Sequence, residues 1–282
     1  MTRTDTVTLP VDNLAEFKAV IELGSLTLKT IPGATELTCA ATVTLKVPSD
    51  ALGKEYLDQV SFTLAGDPDS HRADFKIKFP AQWHSANWAN RPGSLKLDLV
   101  VTGPPGLSYD LATTTGPLTV EGTVGDLSAR TNTGDIDFGQ GVDGRCSVTA
   151  STGDIIGTLR NTTDATINST TGDVTLRFDG PGTGLKHLSV SLSTGDVDVT
   201  LPEIKSADFS ITAGTGDMHI ALPKTSAAAI SLVTKTGTCT VTGGTITTSG
   251  TQQPNEVSGR LNNPEGSIKV NIVTGSVTLH LT

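Results

Sequence analysis

Apolar and polar residues alternate along most of this chain, and from residue 113 onward the alternation is tied to a recurring glycine. Eight segments share one pattern: TTTGPLTV (113–120), TNTGDIDF (131–138), ASTGDIIG (150–157), STTGDVTL (169–176), LSTGDVDV (192–199), AGTGDMHI (213–220), TKTGTCTV (234–241) and IVTGSVTL (272–279). Their glycines are Gly116, Gly134, Gly153, Gly172, Gly195, Gly216, Gly237 and Gly275, spaced by 18, 19, 19, 23, 21, 21 and 38 residues. Two positions after the glycine every copy is apolar, from Leu118 and Ile136 to Cys239 and Val277. Four positions after it the same holds, except at Gly157. The position between is mostly polar, as at Thr119, Asp137, Thr175 and Asp198. Five and seven positions before the glycine the residues are again apolar, for example Val148 with Cys146 and Ile211 with Phe209. Period-two alternation with one apolar face is the signature of half-buried strands. Each unit therefore predicts a strand, a tight turn at the glycine, and a second strand.

A repeat of about 20 residues points to stacked supersecondary units. No segment of the repeat region keeps a 3.6-residue period, so a helix in each unit is disfavoured. Two arrangements remain, a parallel solenoid and an antiparallel sandwich. The solenoid accounts for more. It stacks equivalent positions at about 4.8 Å, so one column stays apolar and one turn recurs. The expected fold is an all-β, right-handed parallel β-helix of about nine coils over 111–282, preceded by a β-rich region over 1–110 that forms a cap or longer first coils. GPGTG (180–184) reads as a protruding loop, and SGTQQPNEVSG (249–259) as an irregular coil where one glycine is missing. In the first part SLTLKTI (25–31), ELTCAATVTLKV (36–47) and SLKLDLVV (94–101) read as strands without the glycine period, and 12–24 reads equally as helix or strand. The C-terminal strand VTLHLT is expected to end the stack, either short and tolerated or paired with another molecule.

Charge and composition narrow the function. The 282 residues carry a net charge of −9, and aromatic residues make up only 4%. Such a surface disfavours nucleic acid and anionic lipid. No apolar run reaches the length of a membrane span, so membrane insertion is not expected, and the N-terminus lacks the apolar core of a secretory signal. Cys39, Cys146 and Cys239 are too few and too far apart for a disulfide framework or a zinc site. Cys146 and Cys239 fall in apolar columns and read as buried hydrophobes.

Two constellations are candidates for binding. Asp135, Asp154, Asp173, Asp196 and Asp217 follow the repeat glycines. Stacked coils would set them in a row, either as turn residues accepting local backbone N–H groups or as a cation row that takes calcium weakly. The segment 78–93 holds both tryptophans. There Trp83, His84, Trp88, Asn90 and Arg91 form a candidate contact surface for a glycan, against the plainer reading of indoles that cover the core. No nucleophile elbow, phosphate loop, HExxH or CxxC pattern occurs, and the carboxylate pairs recur in successive coils instead of converging. The chain is therefore expected not to be an enzyme and to carry no cofactor. A carbohydrate-active enzyme and a structural protein that self-associates through its coil ends are the alternatives.

The tandem [ST]-T-G-D-[IV]-x-[VIL] unit resembles the DUF4097 family of adhesin-like β-strand repeat proteins, well over 105–282 and only in general strand character before that. The resemblance implies a right-handed parallel β-helix, no established enzymatic activity, a glycan or protein partner, and a cell-surface or secreted location.

Overall fold

The computed structural model describes residues 1–80, 93–179, 184–249 and 253–282. In chain order the first part contains β1 (Thr2–Pro10), β2 (Glu16–Leu23), β3 (Leu26–Thr30), β4 (Glu36–Lys46), the helix α1 (Asp50–Gln59), β5 (Ser61–Asp67), β6 (Arg72–Lys78) and β7 (Ser94–Gly103). Pairs of strands joined by the repeat turn follow: β8 (Ser108–Thr115) with β9 (Leu118–Glu121), β10 (Leu127–Thr133) with β11 (Ile136–Val142), β12 (Cys146–Thr152) with β13 (Ile155–Leu159), and β14 (Asp164–Thr171) with β15 (Val174–Phe178). Next come β16 (His187–Thr194) with β17 (Val197–Thr200), β18 (Asp208–Thr215) with β19 (Met218–Leu222), and β20 (Ala228–Thr236) with β21 (Cys239–Thr242). The chain ends with β22 (Thr247–Thr248), β23 (Glu256–Leu261), β24 (Gly266–Thr274) and β25 (Val277–Leu281).

The strand before each turn goes to one sheet and the strand after it to the other. Sheet A runs β1-β4-β7-β3-β9-β11-β13-β15-β17-β19-β25-β21, and sheet B runs β22-β23-β20-β24-β18-β16-β14-β12-β10-β8-β2-β6-β5. Successive repeats pair in parallel and in register, Ile136 beside Ile155 and Val148 beside Ile167. The antiparallel alternative does not hold for the repeats. Among the described residues, antiparallel strand pairing is confined to the two ends: β1 with β4, β4 with β7 and β5 with β6 at one, and β23 with β20 and β22 at the other.

The apolar columns face each other between the sheets. One continuous core runs from Phe17 to Leu281 and takes in Cys39, Cys146 and Cys239, all free thiols. Burial pushes the Cys39 thiol up to about 12 and raises Cys146 and Cys239 as well, which keeps all three as unreactive thiols at neutral pH. The apolar column fails at Gly157 because its neighbour fills the gap. A Cβ there would lie 2.0 Å from the ring of the fully buried Phe138.

Within the segment 12–24, Glu16–Leu23 takes the strand reading, and the single helix among the described residues lies at α1, where Ser49 accepts from the Leu52 N–H and Tyr56 and Leu57 turn into the core. Three expectations need correction. The glycine period does reach the first part. Gly24 has φ 129°, its N–H donates to Thr115 O, and β2–β3 form a coil stacked directly on β8–β9. The C-terminal strand does not end the stack, because β24–β25 lie between β18–β19 and β20–β21. The segment 249–259 holds no coil; its described part enters the antiparallel hairpin of β22 and β23. Loop 180–184 lies outside the described residues except for Gly184.

Candidate functional site

Two surfaces repeat one chemistry from coil to coil. The first is the corner between the sheets. Its stacking order is Gly24, Gly116, Gly134, Gly153, Gly172, Gly195, Gly216, Gly275, Gly237, with φ between 126° and 141° throughout. Side chains avoid that region, and space forbids them too: a Cβ on Gly153 would sit 2.1 Å from Gly134 O. An exposed threonine precedes the glycine in the eight repeats, with Thr133 beside Thr152 and Thr171 beside Thr194.

The aspartate row lies on this corner, and its hydrogen bonds run between coils. Asp135 Oδ1 accepts the Asp154 N–H at 2.9 Å, and Asp154 accepts the Asp173 N–H at 2.8 Å. Asp173 accepts from Asp196 at 2.8 Å, Asp196 from Asp217 at 2.7 Å, and Asp217 from Ser276 at 2.8 Å. Each carboxylate thus satisfies an N–H that the turn directs along the stack, 19 to 23 residues on within the consecutive coils and 59 residues on at Ser276. The aspartates are turn residues as expected, but the N–H groups they accept are not local ones. At the first coil Asp98 of β7 does the same for Ser25, accepting its N–H at 3.4 Å and its hydroxyl at 2.5 Å. Among the described residues no group of three or more His, Cys, Asp or Glu side chains is placed to hold a metal ion.

The second surface is the outer face of sheet B, which the turn pattern alone does not reveal. Extending the same glycine alignment to positions −6 and −8 would have found it. Asp110 takes Lys18 at 2.7 Å and Arg130 at 2.7 Å, and accepts from the Ser128 hydroxyl at 3.1 Å. Burial opposes the Asp110 charge, but those hydrogen bonds and cations hold its carboxyl below the ordinary value. One coil on, Asp126 accepts from both Arg145 Nη2 (2.8 Å) and the Arg145 backbone (2.7 Å), with the same outcome against partial burial. Recesses of about 460 and 570 Å³ open on this face and share Asp164 and Thr166. Trp83, His84, Trp88, Asn90 and Arg91 lie outside the described residues, so the structure neither joins them to these surfaces nor separates them.

The architecture defines a solenoid-like, mostly parallel β-repeat protein. Residues 161–282 match the family DUF4097, Toastrack. Solved structures that the chain matches include a "putative adhesin" from Parabacteroides merdae (11% identity, 99% of this chain and 97% of that one, TM-score 0.49). Another is a "putative adhesin" from Bacteroides fragilis (12% identity, 98% and 97%, TM-score 0.41). A third is a "putative cell adhesion protein" from Clostridium sporogenes (11% identity, 100% of both, TM-score 0.32). No curated protein matches the sequence. No described helix is long and apolar enough to cross a membrane.

Proposed function

We propose that the protein is a non-catalytic, adhesin-like binding scaffold with no resident cofactor, built on a right-handed coil of about 20 residues. Right-handed crossovers are the sterically favoured way to join parallel strands. The observation that carries the functional reading is the distribution of charge. Polar groups on both repeating surfaces are tied to their counterparts one coil away, as in the Asp135–Asp154 and Asp126–Arg145 contacts. Catalysis needs the opposite, a few groups converging on one point with values moved toward their task. In this reading the aspartate row serves the backbone, with one oxygen of each carboxylate spent on a neighbouring N–H.

Immobilised protein tested against matrix proteins, surface glycans and whole cells should retain a partner and leave it chemically unchanged. Release of cleaved product from any of them would place the chain among the carbohydrate-active enzymes instead. A melting temperature that rises in millimolar calcium over chelator would restore the aspartate row as a cation site.

A further inference from the structure

Successive coils place the same kinds of side chain side by side on the outer face of sheet B. Eight positions before the corner glycine stand Asp126, Arg145, Asp164, His187 and Asp208. Six positions before it stand Ser128, Ser147, Thr166, Ser189 and Ser210, each aligned with the next. Four positions before it stand Arg130, Thr149, Asn168, Ser191 and Thr212. The second column is short and hydroxylic, as is most of the third, whereas the first carries longer charged side chains. The first two columns line a trough along the stacking axis, and the two recesses that share Asp164 and Thr166 are its deeper stretches.

We infer that this trough binds a neutral, linear polysaccharide laid along the stack. The inference rests on the binding-scaffold reading and gives it a site and a ligand class. Pitch is the first argument. Coils recur at about 4.8 Å, whereas an extended peptide advances about 3.4 Å per residue and repeats a side-chain direction every ~6.8 Å, so it loses register within two coils. One pyranose unit of an extended β-linked chain spans nearly the coil interval. The second argument is charge. Glu16, Asp110, Asp126, Asp164 and Asp208 are nearly balanced by Lys18, Arg130, Arg145 and Lys269, and several are already paired across coils. A polyanion finds no uncompensated positive field there. Carboxylates and hydroxyls in rows are also groups that satisfy vicinal diols. Tyr109 and Phe209 reach the trough only as buried side chains, so among the described residues of its lining no ring is offered for stacking. Each sugar therefore contributes little, and affinity accumulates with chain length.

The test is native affinity electrophoresis of the intact protein in gels containing a neutral linear β-glucan, a polyuronate, or no polymer. The glucan should retard the protein, long oligomers should compete, and the disaccharide should not. The double variant Ser147→Arg/Ser189→Arg fills two exposed positions of the trough. It should keep the wild-type melting temperature and weaken glucan binding at least about tenfold. No retardation by glucan, retardation by polyuronate alone, or undiminished binding by the double variant would each overturn the inference. All three leave the scaffold reading intact, since that reading fails on enzymatic turnover and not on the identity of the ligand.

Discussion

The two ends of the stack face the same problem, a coil whose backbone edge and apolar interior have no next neighbour, and they answer it differently. At the N-terminal end the chain leaves the coil sequence altogether. It lays β4, α1, β5, β6 and β7 over the coil β2–β3, with β1 antiparallel to β4 and Leu57 and Val60 turned into the core. Arg3 reaches across to the carbonyls of Leu57 and Val60, which fastens β1 over the helix end. At the C-terminal end little is added. The outermost sheet A strand, β21, is four residues long, and the outermost sheet B strand, β22, is two. There the chain interleaves: β24–β25 slip between two coils that precede them in sequence. One end is closed by extra layers, and the other by shortening the edge and burying β24–β25 between earlier coils.

Truncation gives the largest predicted contrast. Removing residues 266–282 takes out a coil paired on both sides in both sheets, and should yield insoluble protein or the loss of a cooperative melting transition. Removing residues 1–10 takes only an edge strand and should leave a folded protein with a lower melting temperature. Equal effects would dissolve the distinction between the two ends.

Next in size is Gly275→Ala. A Cβ there would lie 1.8 Å from Gly216 O at a φ of 135°. Denaturant unfolding should show a loss of about 3 kcal/mol, comparable to Gly153→Ala in the middle of the chain. A much milder Gly275→Ala would show a fraying last coil instead of an interior one. At the other end Leu57→Ala should cost about 2–3 kcal/mol by leaving a cavity beneath the cap, read in the same assay.

The smallest effect is on pH. Asp98, Asp110 and Asp126 all lie in the N-terminal half, and all are held below the ordinary value of 3.8 by hydrogen bonds and cations, against desolvation. A carboxyl with a depressed folded value stabilises the fold above its unfolded value, and that contribution disappears as pH falls through the folded value. Hydrogen exchange taken stepwise below about pH 4 should therefore show amides of β2, β3 and β8 losing protection before those of β16 to β19. The reverse order would remove the electrostatic part of the contrast.

The stacking itself was legible in sequence, since apolar columns two and four residues after a recurring glycine fit little besides coils piled in register. The coil at Gly24 was not. It is a single copy, IELGSLTL, with leucine where the repeats have threonine and serine where they have aspartate, and 92 residues separate Gly24 from the coil it stacks on. The interleaving was hidden by arithmetic. The 38 residues between Gly237 and Gly275 equal two ordinary periods, yet they are filled by an antiparallel hairpin and a return crossing. The aspartates announced their turn but not their partners, because the N–H groups they accept belong to the next coil. The hydroxyl column of sheet B was present in the same alignment and needed only to be followed further from the glycine.

Interleaving also bears on how the molecule comes into being. A chain emerging from the ribosome can add coils in order as far as Leu222, but the berth beside β19 is reserved for β24–β25, which are synthesised after β20–β21. The segment that arrives first, β20–β21, has the right glycine interval to settle there itself, 21 residues from Gly216 to Gly237. It must stay out, or be expelled, before β24–β25 can enter. Refolding should therefore show a slow phase that belongs to β24–β25, set by undocking of this early occupant.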